Sequence, residues 1–194
     1  MALARRIMLA GAAASSLFAA ASLIARAPHL VSGWPDPTDP STTLADVEAA
    51  VSRKIQVPEI SAPVFSETLS HPGTVVFDVR EPAEYTESHI PGATRIDPGL
   101  SADAFAARFG NDIRGKTVVF YCAVGVRSGY MLERVRTVLT NGGATQAYNL
   151  KGGIFRWYAS GKPVVSDAGP ASAVHQYDGA WGKLPARTIA GGRS

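Results

Sequence analysis

Apolar positions change period along this chain. Leu44, Val47, Val51 and Ile55 recur at spacings of three and four, the stripe of a short amphipathic helix with Thr43 as its N-cap. Beyond Pro58 two periods take turns. Ser61 is placed to cap a helix running to about Leu69, and Thr74 to Val79 reads Thr-Val-Val-Phe-Asp-Val, a continuous β-rich run. Pro82 sits at the first-turn position of the next helix, with Glu84 near its positive end. Ala93 to Ile96 reads as a short strand, Phe105 and Phe109 share a helix, and Thr117 to Tyr121 is another buried strand. Met131, Leu132, Val135, Val138 and Leu139 mark the apolar face of a long helix that Gly142 and Gly143 end. Gln146 to Leu150 reads as one more strand, and Ile154 to Ala159 as a last helix closed by Gly161 and Pro163. Strands without a polar face, separated by helices, predict an α/β fold: a parallel sheet with helices on both faces and ligand chemistry at the C-terminal ends of the strands. Two such ends carry chemistry, one with Asp78 and Arg80, the other with Cys122.

The pattern also divides the chain. In residues 1–27, Arg5 and Arg6 precede the uncharged stretch Ile7 to Ala25, which reads as an export signal, by ordinary secretion or a twin-arginine route. The alternative is an uncleaved membrane anchor; either reading places the protein outside the cytoplasm, in the periplasm or beyond, with membrane contact only through this segment. Residues 28–57 form a Pro-rich linker, with Pro28, Pro35, Pro37 and Pro40, followed by the Thr43 helix. The compact domain is expected over 58–165. Residues 166–194 are a Gly/Ala-rich tail whose large aromatics are Tyr177 and Trp181, either wrapped onto the domain or disordered.

Composition narrows the function classes. The 194 residues are 46% hydrophobic and 18% charged with a net charge of +3, so a folded body is expected rather than bulk disorder. The basic residues are scattered, which excludes a nucleic-acid-binding arm. His29, His71 and His175 have no Cys or acidic neighbour at ligand spacing, so no metal site is expected. His89, after a short helix, reads as a capping or packing residue.

The single cysteine is the candidate nucleophile. Cys122 ends a strand and opens the loop Ala123-Val124-Gly125-Val126-Arg127-Ser128, which leads into a helix; unpaired amides and the positive end of a helix dipole favour a sulfur anion there. Those six residues are the candidate substrate-binding loop. Arg127 has two readings, assistance to an anionic donor or a brace paired with a carboxylate. Asp78 and Arg80 are supporting residues, read as an ion pair that orients the neighbouring loop. Four residues, Ala123 to Val126, separate Cys122 from Arg127. The loop that holds a tetrahedral phosphate in cysteine-dependent phosphatases is one residue longer, which argues against phosphoryl chemistry. With one cysteine, no intramolecular disulfide is available and any resolving thiol comes from another molecule.

Four motifs agree in order and spacing with a known family. Asp78-Val79-Arg80-Glu81-Pro82-Ala83-Glu84-Tyr85, His89-Ile90-Pro91-Gly92-Ala93, the Cys122 loop, and Leu150-Lys151-Gly152-Gly153 with Trp157, Gly161 and Pro163 together resemble a single-domain rhodanese. Ser88 departs from the pattern, standing where glycine is usual. The resemblance implies a five-stranded parallel sheet and a sulfurtransferase that needs no cofactor. A sulfane sulfur would pass from thiosulfate or a persulfide to a thiol or cyanide through a Cys122 persulfide. A module that only carries sulfur or binds a partner is the alternative.

Overall fold

The computed structural model describes residues 33–191, so the expected export signal or anchor lies outside the described residues. No helix among the described residues is long and apolar enough to cross a membrane. Helix α1 (Leu44–Lys54) starts at a reciprocal capping box. The Thr43 hydroxyl accepts from the Asp46 amide at 3.2 Å, and the Asp46 carboxylate accepts from the Thr43 amide at 2.8 Å. Helix α2 (Ala62–Leu69) differs from expectation at its first turn. Ser61 makes no side-chain cap, and a proline in the first turn, Pro63, supplies the helical φ instead.

Five strands, β1 (Glu59–Ile60), β2 (Thr74–Asp78), β3 (Thr94–Arg95), β4 (Thr117–Tyr121) and β5 (Gln146–Leu150), form one sheet in the order β1-β5-β4-β2-β3, every pair parallel. Helices α2, α3 (Pro82–Glu87), α4 (Ala102–Phe109) and α5 (Val126–Asn141) occupy the crossovers, α6 (Gly153–Ala159) follows β5, and together they flank the sheet. This is the α/β architecture that the alternating periods predict.

Strand β4 is central, and its two faces diverge in role. Val118, Phe120 and Cys122 point to one side, where they pack with Phe77, Val79, Phe105, Phe109, Met131, Leu132 and Val135 in one apolar cluster. Val119 and Tyr121 point to the other side and are equally buried. Phe77 anchors the first cluster, its ring 4.9–5.3 Å from those of Phe105, Phe109 and Phe120. The register sets Asp78 opposite Tyr121, so β2 and β4 end level and bring Arg80 and Cys122 to one rim of the sheet.

The folded unit reaches beyond 58–165 on both sides. Leu44, Val47 and Ala50 of α1 are fully buried, and the Glu48 carboxylate accepts from Arg156 Nε at 2.6 Å and Nη2 at 3.1 Å. After α6 come an antiparallel hairpin, β6 (Val164–Ser166) with β7 (Gly169–Ala171), and then α7 (Lys183–Gly191). The C-terminal segment is wrapped onto the domain because it carries apolar groups that need cover: Trp181 and Leu184 are buried, and α7 packs on α6 and α1. Arg187 closes the unit, its Nη1 donating to the carbonyls of Asp39 and Thr42 at 3.0 Å each.

Truncating Phe77 removes the ring that joins β2 to three other aromatics. Phe77→Ala is expected to cost about 3–5 kcal/mol, read as a lower urea midpoint by circular dichroism with the folded-state spectrum retained.

Candidate active site

Cys122 follows the last residue of β4 and is 1% exposed. The chain turns from it into α5 through Gly125, whose φ of +99° lies in the left-handed region that a side chain would strain. In that conformation the Gly125 amide donates to Cys122 Sγ at 3.2 Å. Val126, Arg127 and Ser128 are the first three residues of α5, so their amides have no intrahelical acceptor, the kind of helix terminus that can receive an anion.

The loop is held from outside by its carbonyls. Ile154 and Phe155, at the start of α6, donate their amides to the carbonyls of Cys122 at 2.9 Å and Ala123 at 3.1 Å. This close approach explains Gly153, where a Cβ would collide with the Cys122 carbonyl and stand 2.6 Å from that of Ala123. On the other side Asn149 of β5, fully buried, donates Nδ2 to the Gly125 carbonyl at 3.0 Å and accepts the Ser128 hydroxyl at 2.7 Å. Ser128 therefore braces the loop through its side chain. Ala123, Val124 and Val126 are buried and give the loop an apolar surround.

Two buried ion pairs flank the sulfur. Arg127 places Nη1 and Nη2 on the Glu84 carboxylate at 2.6 and 2.8 Å, a bidentate pair that ties the first turn of α5 to α3. Burial works against charging either partner. The hydrogen bonds and charge of Arg127, with the Glu81 amide and Arg80, outweigh it and hold the Glu84 carboxyl below the usual range. Arg127 is correspondingly more basic, with the Cys122 sulfur adding to the effect of Glu84. The second pair is Asp78 with Arg80, both fully buried: Arg80 Nε donates to Asp78 Oδ1 at 2.9 Å and Nη2 to Oδ2 at 2.7 Å. Arg80 Nη2 also reaches the Ser88 carbonyl at 2.6 Å, and the Tyr121 hydroxyl donates to Asp78 at 2.7 Å while accepting from the Ile90 amide at 3.0 Å. This network joins the end of β4 to the loop between α3 and β3.

The structure thus brings Cys122, its loop and Arg127 together, and sets Asp78 and Arg80 behind them as a scaffold. His89 packs: its ring stacks on Tyr85 with centroids 3.9 Å apart, and its backbone pairs with Val165. Sequence reasoning missed the partners. Asn149 is a polar residue at the inner end of an apolar strand, a signal available but unread. Glu84 reads in the sequence as a helix-start acid, with nothing beside it to mark it as the mate of Arg127. Tyr177, whose ring lies 5.1 Å from the Arg127 guanidinium carbon, carried no signal beyond its size.

Comparison with known proteins places these features. A family model described as a rhodanese-like domain matches residues 61–160. The uncharacterized protein YqhL of Bacillus subtilis (strain 168) is 42% identical over 83 residues, 42% of this chain and 59% of that protein, so the chain spans about three fifths of that relative. A sulfurtransferase of Allochromatium vinosum is 31% identical over 118 residues, covering 58% of this chain and 99% of its own length. Among solved structures, a rhodanese-related protein of Thermoplasma volcanium is 27% identical, with 56% of this chain and 98% of that one covered at a TM-score of 0.45.

The Glu84–Arg127 pair makes stability pH-dependent in one direction. Because the folded-state carboxyl titrates lower than the unfolded one, its contribution is full above the ordinary carboxylate range and is lost as pH falls through the depressed value. Glu84→Gln is expected to lower the melting temperature at neutral pH, in line with about 3–5 kcal/mol for breaking a buried pair. Melting curves of the two proteins should converge on acidification.

Proposed function

The chain belongs to the rhodanese-like domain family, and from that premise we propose that it is a sulfurtransferase in which Cys122 carries a sulfane sulfur from thiosulfate or a persulfide donor to a thiol or cyanide. The observation that carries this reading is the hydrogen bond from the Gly125 amide to Cys122 Sγ at the mouth of helix α5. A sulfur at that place receives backbone donors whether it is a thiolate or the outer atom of a persulfide. The likeness over nearly all of the Allochromatium vinosum sulfurtransferase supports sulfur transfer as the reaction class.

The chemistry balances without a cofactor. The Cys122 thiolate attacks the outer sulfur of the donor, a new S–S bond forms, the donor's S–S bond breaks, and the remainder leaves with the electron pair, as sulfite from thiosulfate or as a thiolate from a persulfide. Cyanide or a thiolate then attacks the outer sulfur of Cys122–S–S⁻, and Cys122 departs as thiolate. Two features favour the less charged donor. Val124 and Val126 supply no charge, and Arg127 is already neutralised by Glu84, so a doubly negative thiosulfate would meet amides alone. The lone thiol leaves the acceptor to be supplied by another molecule, and the reading of residues 1–27 as an export signal or anchor supports a reaction outside the cytoplasm.

A thiosulfate-to-cyanide assay run beside a small persulfide donor, cysteine persulfide, on wild type and Cys122→Ala, tests the reading. The persulfide is expected to be the better donor, Cys122→Ala to fall to background with both, and intact mass of the donor-treated wild type to rise by one sulfur. Stoichiometric loading without turnover would leave a sulfur carrier. Hydrolysis of p-nitrophenyl phosphate that disappears in Cys122→Ser would replace sulfur transfer with phosphoryl chemistry.

A further inference from the structure

A loop at the C-terminal end of a central strand in an open α/β sheet ordinarily faces solvent. Here Cys122 is 1% and Arg127 6% exposed, and the C-terminal segment reaches this rim. That segment is fastened on both sides of Tyr177. Before it, the Ser172 carbonyl accepts from the Tyr158 hydroxyl at 2.7 Å, Val174 is buried, and His175 Nε2 lies 3.9 Å from Glu87. After it, the Asp178 carboxylate accepts from the amides of Ala180 at 2.8 Å and Trp181 at 3.0 Å, and Trp181 is itself buried.

Between these anchors Tyr177 has a φ of +63°, the one non-glycine residue with positive φ among those described. A bulky side chain held in that region marks a position whose surroundings over-determine it, and such positions gather at functional sites. The ring lies over the Arg127 guanidinium, 5.1 Å from its carbon. The phenol is pushed up to about 12, by burial first; Glu84, Asp178 and Cys122 add to the rise and Arg127 opposes it, so the ring shares the electrostatic surroundings of the sulfur.

We propose that Tyr177 is a specificity-determining residue, the outer wall of the Cys122 site, whose ring admits small nucleophiles such as cyanide and excludes bulky thiols. The inference rests on the sulfurtransferase reading above. It concerns the second half-reaction, where an acceptor thiolate attacks the outer sulfur of Cys122–S–S⁻, forms the acceptor's S–S bond, and releases Cys122 as thiolate.

The test compares sulfur transfer from persulfidated enzyme to cyanide and to glutathione in wild type, Tyr177→Gly and Tyr177→Phe. Glycine suits the left-handed backbone, so its variant removes the ring without adding strain. Tyr177→Gly is expected to raise the glutathione-to-cyanide ratio of kcat/KM by about tenfold, and Tyr177→Phe to leave it unchanged. An equal ratio in wild type and Tyr177→Gly, with cyanide transfer still dependent on Cys122, overturns the role of Tyr177 and leaves the sulfurtransferase reading standing. Transfer that survives Cys122→Ala overturns that reading instead. Alkylation of wild-type Cys122 gives an answer free of sulfur transfer and of any variant's stability. The rate of a bulky maleimide relative to that of iodoacetamide is expected to fall far below its value on free cysteine, and an unchanged relative rate would also overturn the wall.

Discussion

The proposed sulfur transfer puts a negative charge on the buried Cys122 sulfur, and the rest of the site follows from how that charge is held. Arg127 stands nearest by sequence, but both of its terminal nitrogens are committed to Glu84. The charge must rest on backbone dipoles. A short loop can offer its amides to one point only if its carbonyls are satisfied elsewhere, because each peptide presents both groups. The structure answers with donors brought from two other elements: the first amides of α6 take the carbonyls of Cys122 and Ala123, and Asn149 takes that of Gly125. Gly153 is the steric condition of the first contact and Gly125 the conformational condition of the turn.

The two buried ion pairs belong to the same economy. Each is a guanidinium matched to a carboxylate, so together they add no net charge beside the sulfur. Buried pairs contribute little stability relative to an apolar core of the same shape, yet removing one partner leaves a strongly unfavourable orphan. Such pairs specify geometry more than they stabilise. Asp78, Arg80 and the Tyr121 hydroxyl fix the loop after α3 against the end of β4, one residue before the sulfur, while Glu84 and Arg127 fix the first turn of α5 just beyond it. The Cys122 sulfur thus sits between two rigid supports on a packed sheet, the placement that preorganised chemistry needs.

Much of this is written locally in the chain. The alternation of runs such as Thr74 to Val79 with the stripe of Met131, Leu132, Val135 and Leu139 is enough to call for a parallel sheet, because strands apolar on both faces need helices on both. Cys122 and its glycine-containing turn were legible for the same reason, since a strand end, a glycine and a helix start lie consecutively. Contacts between distant segments were not. Nothing near Arg127 says that its partner is 43 residues away, and Asn149 reads as a minor polar interruption until β5 is set beside the loop. The C-terminal segment is the extreme case: Gly and Ala dilute its pattern, and the few groups that dock it, Val174, Trp181 and Leu184, share no single period. Ser61 shows the opposite error, a residue of the right type whose capping role is made unnecessary by the proline two positions on.

The clasp of Arg187 on Asp39 and Thr42 joins positions 148 and 145 residues apart. Contacts of such sequence separation form late and slowly, because the entropy of closing the intervening chain must be met first. During synthesis the five strands and the Cys122 loop are complete in the emerging polypeptide before the segment that docks on α1 and α6 leaves the ribosome. The sulfur proposed as nucleophile is therefore synthesised ahead of the piece of chain proposed to wall it, and on that reading the order of translation opens a window of vulnerability that ends only when the last helix seats.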